Sequence, residues 1–377
     1  MQRRKTSGRS GRKIRYAVVG LGYIAQVAVL PGFATARKNS ELVALVSDDA
    51  VKLKKLGKRY GVSGLYSYEQ YDDLLNSGEI DAVYIALPNT MHADYTIKAA
   101  RAGIHVLCEK PMEVTESKCK RMNEACRKAR VKLMIAYRLH LEHANLRAVQ
   151  IAASKKLGEL RIFNSVFTME VTDKDNIRLD ASLGGGPLYD IGIYCLNASR
   201  YIFQDEPVEV VAFSASAPGD KRFKEVDEMT SVILRYPDNR LATFTCSFGS
   251  APTGHYQVIG TKGDLRVDQA YEYADERSYT LTVNEKSTEH EVKKHDQFGA
   301  ELIYFSDCIL KNREPEPNGV EGTADVRIIE ALLKSARTGR PVKLEKTPKR
   351  RYPSMRQKVS RPGISKPSLV RAAPPHD

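Results

Sequence analysis

No apolar run in the 377-residue sequence approaches the roughly 20 residues that a membrane span needs. The basic start "MQRRKTSGRSGRKIR" is not followed by a secretory apolar core, because the next apolar run, "YAVVGLG", is short and broken by glycine. Arg3 and Arg4 make a poor twin-arginine signal, so the sequence reads as a cytoplasmic protein. Six cysteines (Cys108, Cys119, Cys126, Cys195, Cys246, Cys308) form no C-x-x-C pair, and no His cluster stands at metal-ligand spacing. That excludes the common thiol-redox and zinc patterns and leaves reduced, structural thiols with no metal site. Internal repeats are absent as well.

A continuous basic surface is also missing. The net charge is +13, but residues 1–15 carry seven Lys/Arg and no acid, and residues 346–377 carry nine Lys/Arg against one Asp. The 330 residues between them sum to −2. A near-neutral body argues against a nucleic-acid groove. Residues 1–13 read as a disordered basic N-terminus, and residues 346–377, rich in Pro, Ser and Lys/Arg, as a basic extended or disordered arm.

The length favours two domains. From Ile14 onward, apolar runs alternate with helical stretches: "RYAVVGLG", "ELVALVS", "AVYIALP", "HVLCEKP" and "KLMIAYR" are five strands of the unbroken kind that a sheet covered on both faces requires. This predicts a doubly wound parallel sheet, a dinucleotide-binding Rossmann domain over residues 14–140. Further on, "RIFNSVFTMEV", "VEVVAFSASA", "EMTSVILRYP", "RLATFTCSF", "YQVIG" and "DLRVD" tend to alternate apolar with polar. They predict an α+β domain over residues 141–345 with a large, mostly antiparallel sheet, closed by late helices at "AELIYFSDCILKN" and "GTADVRIIEALLKSARTG".

"GLGYIA" fits G-x-G-x-x-A between a strand and a helix start. Gly20 permits the tight turn, Gly22 lets backbone approach a diphosphate, and the helix start after Tyr23 and Ile24 supplies free N–H groups. At the tip of the second strand stands Ser47 where an NAD-selective fold usually has an acid. A hydroxyl tolerates a 2′-phosphate, and Lys52 on the following helix can pair with it. Asp48 and Asp49 argue the other way. The balance predicts NADP, with NAD as the alternative.

Ligands bind at the carboxyl ends of parallel strands in such a sheet. Leu87, Pro88 and Asn89 after the third strand, and Glu109 and Lys110 after the fourth, stand there as cofactor contacts. His92 either faces the cofactor or hydrogen-bonds the helix start. Tyr137 and Arg138 end the fifth strand at the same edge, Tyr137 toward substrate and Arg138 toward cofactor. Lys110 precedes a proline, which keeps it extended, able to point its ammonium across the cleft. Further on, "GGGPLYDIGIYCLNASRY" places Asp190 and Tyr194 four residues apart on one helical face, with Arg178 just upstream.

Taken together, "GLGYIA", "DAVYIALPN", "HVLCEKPM", "DIGIY" and "ARTGRPV" resemble the Gfo/Idh/MocA oxidoreductases over about residues 14–345, and most of all the branch of glucose-fructose oxidoreductase and related bacterial sugar oxidoreductases. The resemblance implies an N-terminal Rossmann domain, a nicotinamide cofactor and a C-terminal sheet whose open face makes a homodimer or homotetramer. Lys110 matches the family's catalytic lysine and Asp190 the acid of its D-x-G-x-x motif. Many members have His where this chain has Tyr194, whereas that branch has Tyr. The expected activity is hydride transfer between NAD(P) and a sugar or polyol. Tyr194 takes the hydroxyl proton as phenolate, a form that the Lys110 ammonium favours, and Asp190 orients a sugar hydroxyl. Arg178 reaches a sugar hydroxyl or the cofactor. A non-catalytic nicotinamide-binding regulator is the other reading, and a nucleic-acid binder working through its tails is a third. After "YRLH" the chain lacks the proline common in those relatives, and the sugar stays open.

Overall fold

The structure is a computed structural model that describes residues 11–345 and 351–375. Six strands form the first sheet: β1 (Ile14–Val19), β2 (Ser40–Val46), β3 (Gly64–Tyr66), β4 (Ala82–Ile85), β5 (His105–Cys108) and β6 (Leu133–Ile135). Their order is β3-β2-β1-β4-β5-β6, and every pairing is parallel. The chain winds outward in opposite directions from β1 and β4, so the loops at their carboxyl ends part and leave a crevice. Five of the six strands are the expected ones. The edge strand β3 has three residues, "GLY", too short to show a pattern.

The helices of this layer are α1 (Leu30–Ala36), entered through a π-turn at Ala25–Val29, then α2 (Ala50–Tyr60), α3 (Tyr71–Asn76), α4 (His92–Arg101) and α5 (Glu116–Ala129). Asp49 caps α2 and Thr115 caps α5 with their side chains. Helix α6 (His143–Ala153) then opens the second half, capped by Glu142, which accepts from Asn145 N at 2.8 Å.

The second sheet has nine strands: β7 (Leu160–Glu170), β8 (Glu209–Ala215), β9 (Met229–Arg235), β10 (Leu241–Ser247), β11 (Gly249–Gly260), β12 (Gly263–Asp268), β13 (Arg277–Val283), β14 (Lys286–Val292) and β15 (Val342–Lys343). The order is β14-β13-β12-β11-β7-β10-β9-β8-β15; only β7 and β10 run parallel. The β13–β14 hairpin was not expected. Strand β14, "KSTEHEV", is exposed along almost its whole length and so carries no apolar alternation. Helix α7 (Ile193–Phe203), entered through a second π-turn at Leu188–Gly192, lies on the inner face. Two of the helices that open toward the crevice, α1 and α7, thus begin with a π-turn, a distortion frequent at functional sites.

Helix α8 (Gln297–Leu310) departs from the simple division at residue 141. It returns to the first sheet and packs beside α1: a Cβ on Gly32 would lie 2.9 Å from Gly299 N, and Tyr16 on β1 bonds Ser306 at 2.8 Å. Its Phe298, Leu302 and Phe305 share one apolar core with β1, β2 and α1. Helix α9 (Gly319–Thr338) packs on the second sheet beside β8.

Of the tails, residues 1–10, 346–350 and 376–377 lie outside the described residues, and with them most of the expected N-terminal disorder. Arg12 pairs with Asp81 at 3.2 Å. Residues 351–375 are laid on the protein as an extended arm. The Gln357 carboxamide donates to Glu316 O at 3.0 Å and Glu316 Oε2 at 2.7 Å, and Arg361 Nε donates to Thr35 O at 3.2 Å. These interactions offset the entropy of ordering a Pro- and Ser-rich segment.

Candidate active site

At the end of β1, Gly20 adopts φ +92°, and a Cβ there would lie 2.4 Å from Ala86 O. Only glycine fits this turn. At Gly22 nothing lies within 4 Å of the corresponding position, and no side chain caps the helix start at Ile24. The open space and free N–H groups fit the diphosphate of a dinucleotide. Beyond β2, Ser47 is buried and accepts from Asp49 N at 3.2 Å. Asp48 accepts from Tyr68 N at 2.8 Å, and Asp49 Oδ1 accepts from Val51 N and from Lys52 N at 2.9 and 3.1 Å. Both acids that argued for NAD are therefore engaged in holding the loop.

The chemistry-bearing side chains meet across the crevice. From the end of β5, Lys110 Nζ donates to Asp190 Oδ1 at 2.8 Å and to Asp190 O at 2.7 Å. Arg178 Nε donates to Asp190 Oδ2 at 2.6 Å. The Lys110 ammonium also lies 4.9 Å from the centre of the Tyr194 ring, a cation–π distance. Burial pulls the lysine's pKa down, but the charges of Asp190, Tyr194 and Glu109 outweigh it and the net direction is up. Burial would raise the Asp190 pKa, yet Arg178 and Lys110 hold its carboxyl well below the ordinary range. Asp190 is thus a fixed anion, each of whose oxygens keeps a lone pair for a further donor.

Gly184, with φ +82°, brings its carbonyl onto Asn89, whose Nδ2 donates to it at 2.8 Å. A Cβ at Gly184 would fall 2.5 Å from Val114 Cγ1. The glycine run therefore docks the lead-in to α7 against the Pro88–Asn89 turn. That contact sets the position of Asp190 relative to Lys110.

Three expected contacts are corrected in detail. Tyr137, 2% exposed, does not face the crevice: its ring stacks on His140 at 5.5 Å and its hydroxyl lies with buried Asp325. Arg138 lies beneath Tyr194 rather than along the Gly-rich turn. Its guanidinium stands 4.9 Å from the Tyr194 ring centre and 5.4 Å from that of Tyr273, and donates to Gln297 Oε1 at 2.7 Å and to Tyr271 O. His92 is fully buried and takes neither expected role: its Nδ1 and Nε2 each lie 2.9 Å from a carbonyl, of Pro111 and of Leu87, and so tie the two loops together.

Residues that sequence reasoning passed over complete the surroundings. Tyr273 lies against Tyr23 of the Gly-rich turn, so Tyr23, Tyr273, Arg138 and Tyr194 form a chain across the crevice. Phe167 packs edge-on to Tyr194 at 5.7 Å. Tyr271 and Tyr273 sit between β12 and β13, and no local pattern marks them. Glu109, by contrast, was expected as a cofactor contact; it turns inward instead, accepting from Tyr84 OH at 2.8 Å and from Lys110 N at 3.2 Å. Tyr84 was visible as the one hydroxyl in the apolar run "AVYIALP".

Beneath them, Glu301 on α8 is fully buried, and neither carboxyl oxygen has a hydrogen-bond partner among the described residues. Burial, reinforced by the nearby Glu109, pushes its pKa well up. The folded protein must therefore hold a proton that the unfolded chain releases above about pH 4.3. The stability from that proton is complete below this pH and falls as pH rises. Glu301→Gln is expected to raise stability by on the order of 1–3 kcal/mol at pH 8 and by less at pH 5. Thermal melts at the two pH values check this; an equal effect at both would show that the carboxyl is not held neutral.

Comparison with known proteins was made on this geometry. Residues 14–137 match the family described as "Oxidoreductase family, NAD-binding Rossmann fold", and residues 145–266 match the GFO/IDH/MocA C-terminal domain. The chain is 34% identical over 339 residues to D-xylose 1-dehydrogenase [NADP(+)] of Haloarcula marismortui, covering 88% of this chain and 93% of that one. The structure of aldose-aldose oxidoreductase from Caulobacter crescentus complexed with glycerol superposes with a TM-score of 0.85 at 39% identity, over 88% of this chain and 100% of that one. A 3-ketoreductase from Actinomadura kijaniata in complex with NADP and TDP-benzene superposes with a TM-score of 0.78 at 25% identity, over 86% and 98%.

Proposed function

The chain belongs to the Gfo/Idh/MocA oxidoreductases, and from that premise and the site geometry we propose that it is an NAD(P)-dependent sugar oxidoreductase, with NADP preferred, acting on a CH–OH group of an aldose or related polyol. The observation that carries the reading is the convergence of Lys110, Asp190, Arg178 and Tyr194 at the carboxyl edge of the first sheet, opposite the Gly-rich turn.

A bound nicotinamide supplies the hydride acceptor or donor. The protein's own residues handle the proton and the orientation. Tyr194 takes the proton of the reacting hydroxyl during oxidation and returns it during reduction. Lys110 and Arg138, both facing its ring, offset the negative charge that then develops on the phenol. Asp190, held from two sides by Lys110 and Arg178, accepts from a neighbouring sugar hydroxyl and fixes the carbon's approach. A panel of aldoses and polyols with NADP and NAD tests the reading. Turnover with at least one aldose supports it. No turnover, with nicotinamide still bound, would favour a regulator of the same fold.

We place the enzyme in the cytoplasm: all six cysteines are free and buried, as in proteins of reducing compartments. No helix of the described residues is long and apolar enough to cross a membrane. The outer face of the second sheet supports a homodimer or homotetramer. Ile162, Phe213, Ile233 and Leu241 lie there 40–67% exposed, with Leu241 beside Ile162 in register. Such a contiguous apolar patch on a polar-rimmed sheet marks an interface. Phe213→Asp is expected to weaken self-association by about 30-fold or more, read as a shift to one-chain mass by light scattering. A wild-type monomer at micromolar concentration would overturn this.

A further inference from the structure

The C-terminal arm is pinned to the first domain at defined points. The Gln26 carboxamide, fully buried in the helix that follows the Gly-rich turn, bonds both backbone groups of Val370, donating to its O at 2.9 Å and accepting from its N at 2.8 Å. Arg59 on α2 donates to Ser368 O at 2.7 Å and to Ser368 Oγ at 3.0 Å. The arm is thereby seated between the two helices whose starts face a dinucleotide's diphosphate and adenosine ribose. Two of its cations reach those starts: Lys366 Nζ lies 5.7 Å from the Tyr23 ring centre, and Arg371 Nη1 lies 3.4 Å from Asp49 Oδ1.

Asp49, the cap of α2 two residues past Ser47, is an acid that would repel a 2′-phosphate. Its partner Arg371 is 63% exposed on the side chain and keeps donors free. A phosphate dianion offers a guanidinium a stronger, two-pronged partner than one shared carboxylate oxygen. We infer that the C-terminal arm completes the cofactor site within the same chain, and that Arg371, resting on Asp49, pairs with the 2′-phosphate of NADP. The arm is then a cofactor-selectivity element. This rests on the nicotinamide-dependent reading above.

The test uses the full-length protein and four probes: 2′,5′-ADP and ADP by calorimetry, NADPH and NADH by fluorescence. Wild type is expected to bind each 2′-phosphorylated probe more tightly than its partner. Arg371→Ala is expected to lose about tenfold for 2′,5′-ADP and NADPH, with ADP and NADH unchanged within about twofold; Arg371→Lys recovers part of the loss. Asp49→Asn keeps the helix cap but releases Arg371, and is expected to tighten 2′,5′-ADP. Equal losses on all four probes in both Arg371→Ala and Asp49→Asn, or no change in either, would reduce the arm to a structural strut and overturn the inference. Failure of wild type to bind any of the four would instead remove the nicotinamide reading on which it rests. Circular dichroism melts confirm that each variant folds.

Discussion

Lys110→Ala is expected to lower kcat by about 10³–10⁴-fold, while affinity for NADPH changes by less than about threefold. The ammonium makes two hydrogen bonds to Asp190 and faces the Tyr194 ring, so one substitution removes both the anchor of the orienting acid and a positive charge opposite the phenol. Arg178 still holds Asp190 Oδ2 at 2.6 Å, which keeps the acid partnered and the fold intact. The loss is therefore read in turnover on the best aldose of the panel and not in the melting temperature. A fall of less than about tenfold would take Lys110 out of the chemistry.

Tyr194→Phe carries the second large effect, a fall in kcat of about 10²–10³-fold with KM for the sugar nearly unchanged. The substitution deletes one oxygen. The ring keeps its contacts with Phe167 at 5.7 Å, Tyr271 at 6.1 Å and the Arg138 guanidinium at 4.9 Å. Packing thus stays as it is, and only the group that exchanges the proton is gone. If lysine and tyrosine act as one unit, the double variant is expected to be no slower than Lys110→Ala by more than about threefold. Full multiplication of the two losses would mean that they serve separate steps. A phenylalanine variant within tenfold of wild type would move proton transfer to another group.

Much of the first sheet was legible because its strands are buried on both faces and read as plain apolar runs. The same physics hid β3 and β14, one too short and the other too exposed to carry a pattern. Local geometry, an X-Pro strand end and a four-residue helical spacing, singled out Lys110, Asp190 and Tyr194, and the family resemblance supplied the roles expected of them. The direction of Tyr137 was not. It and Arg138 are neighbours at one strand end, yet one enters the buried network of His140 and Asp325 while the other runs under Tyr194. Which way each goes depends on partners more than a hundred residues away, among them Gln297, Tyr271 and Asp325.

By itself, then, the sequence determined the winding of the first sheet, the Gly-rich turn at its crevice and the residue types available for proton transfer. All of these follow from steric and periodic rules that act over a few residues. Only the tertiary structure decided how those residues are used: that Asp190 is held by two cations at once, that His92 ties two loops, that α8 packs on the first sheet, and that the basic C-terminal arm returns to Asp49. Each depends on contacts between segments far apart in the chain. Such contacts form only where the shared core buries enough apolar surface to offset the entropy of bringing them together.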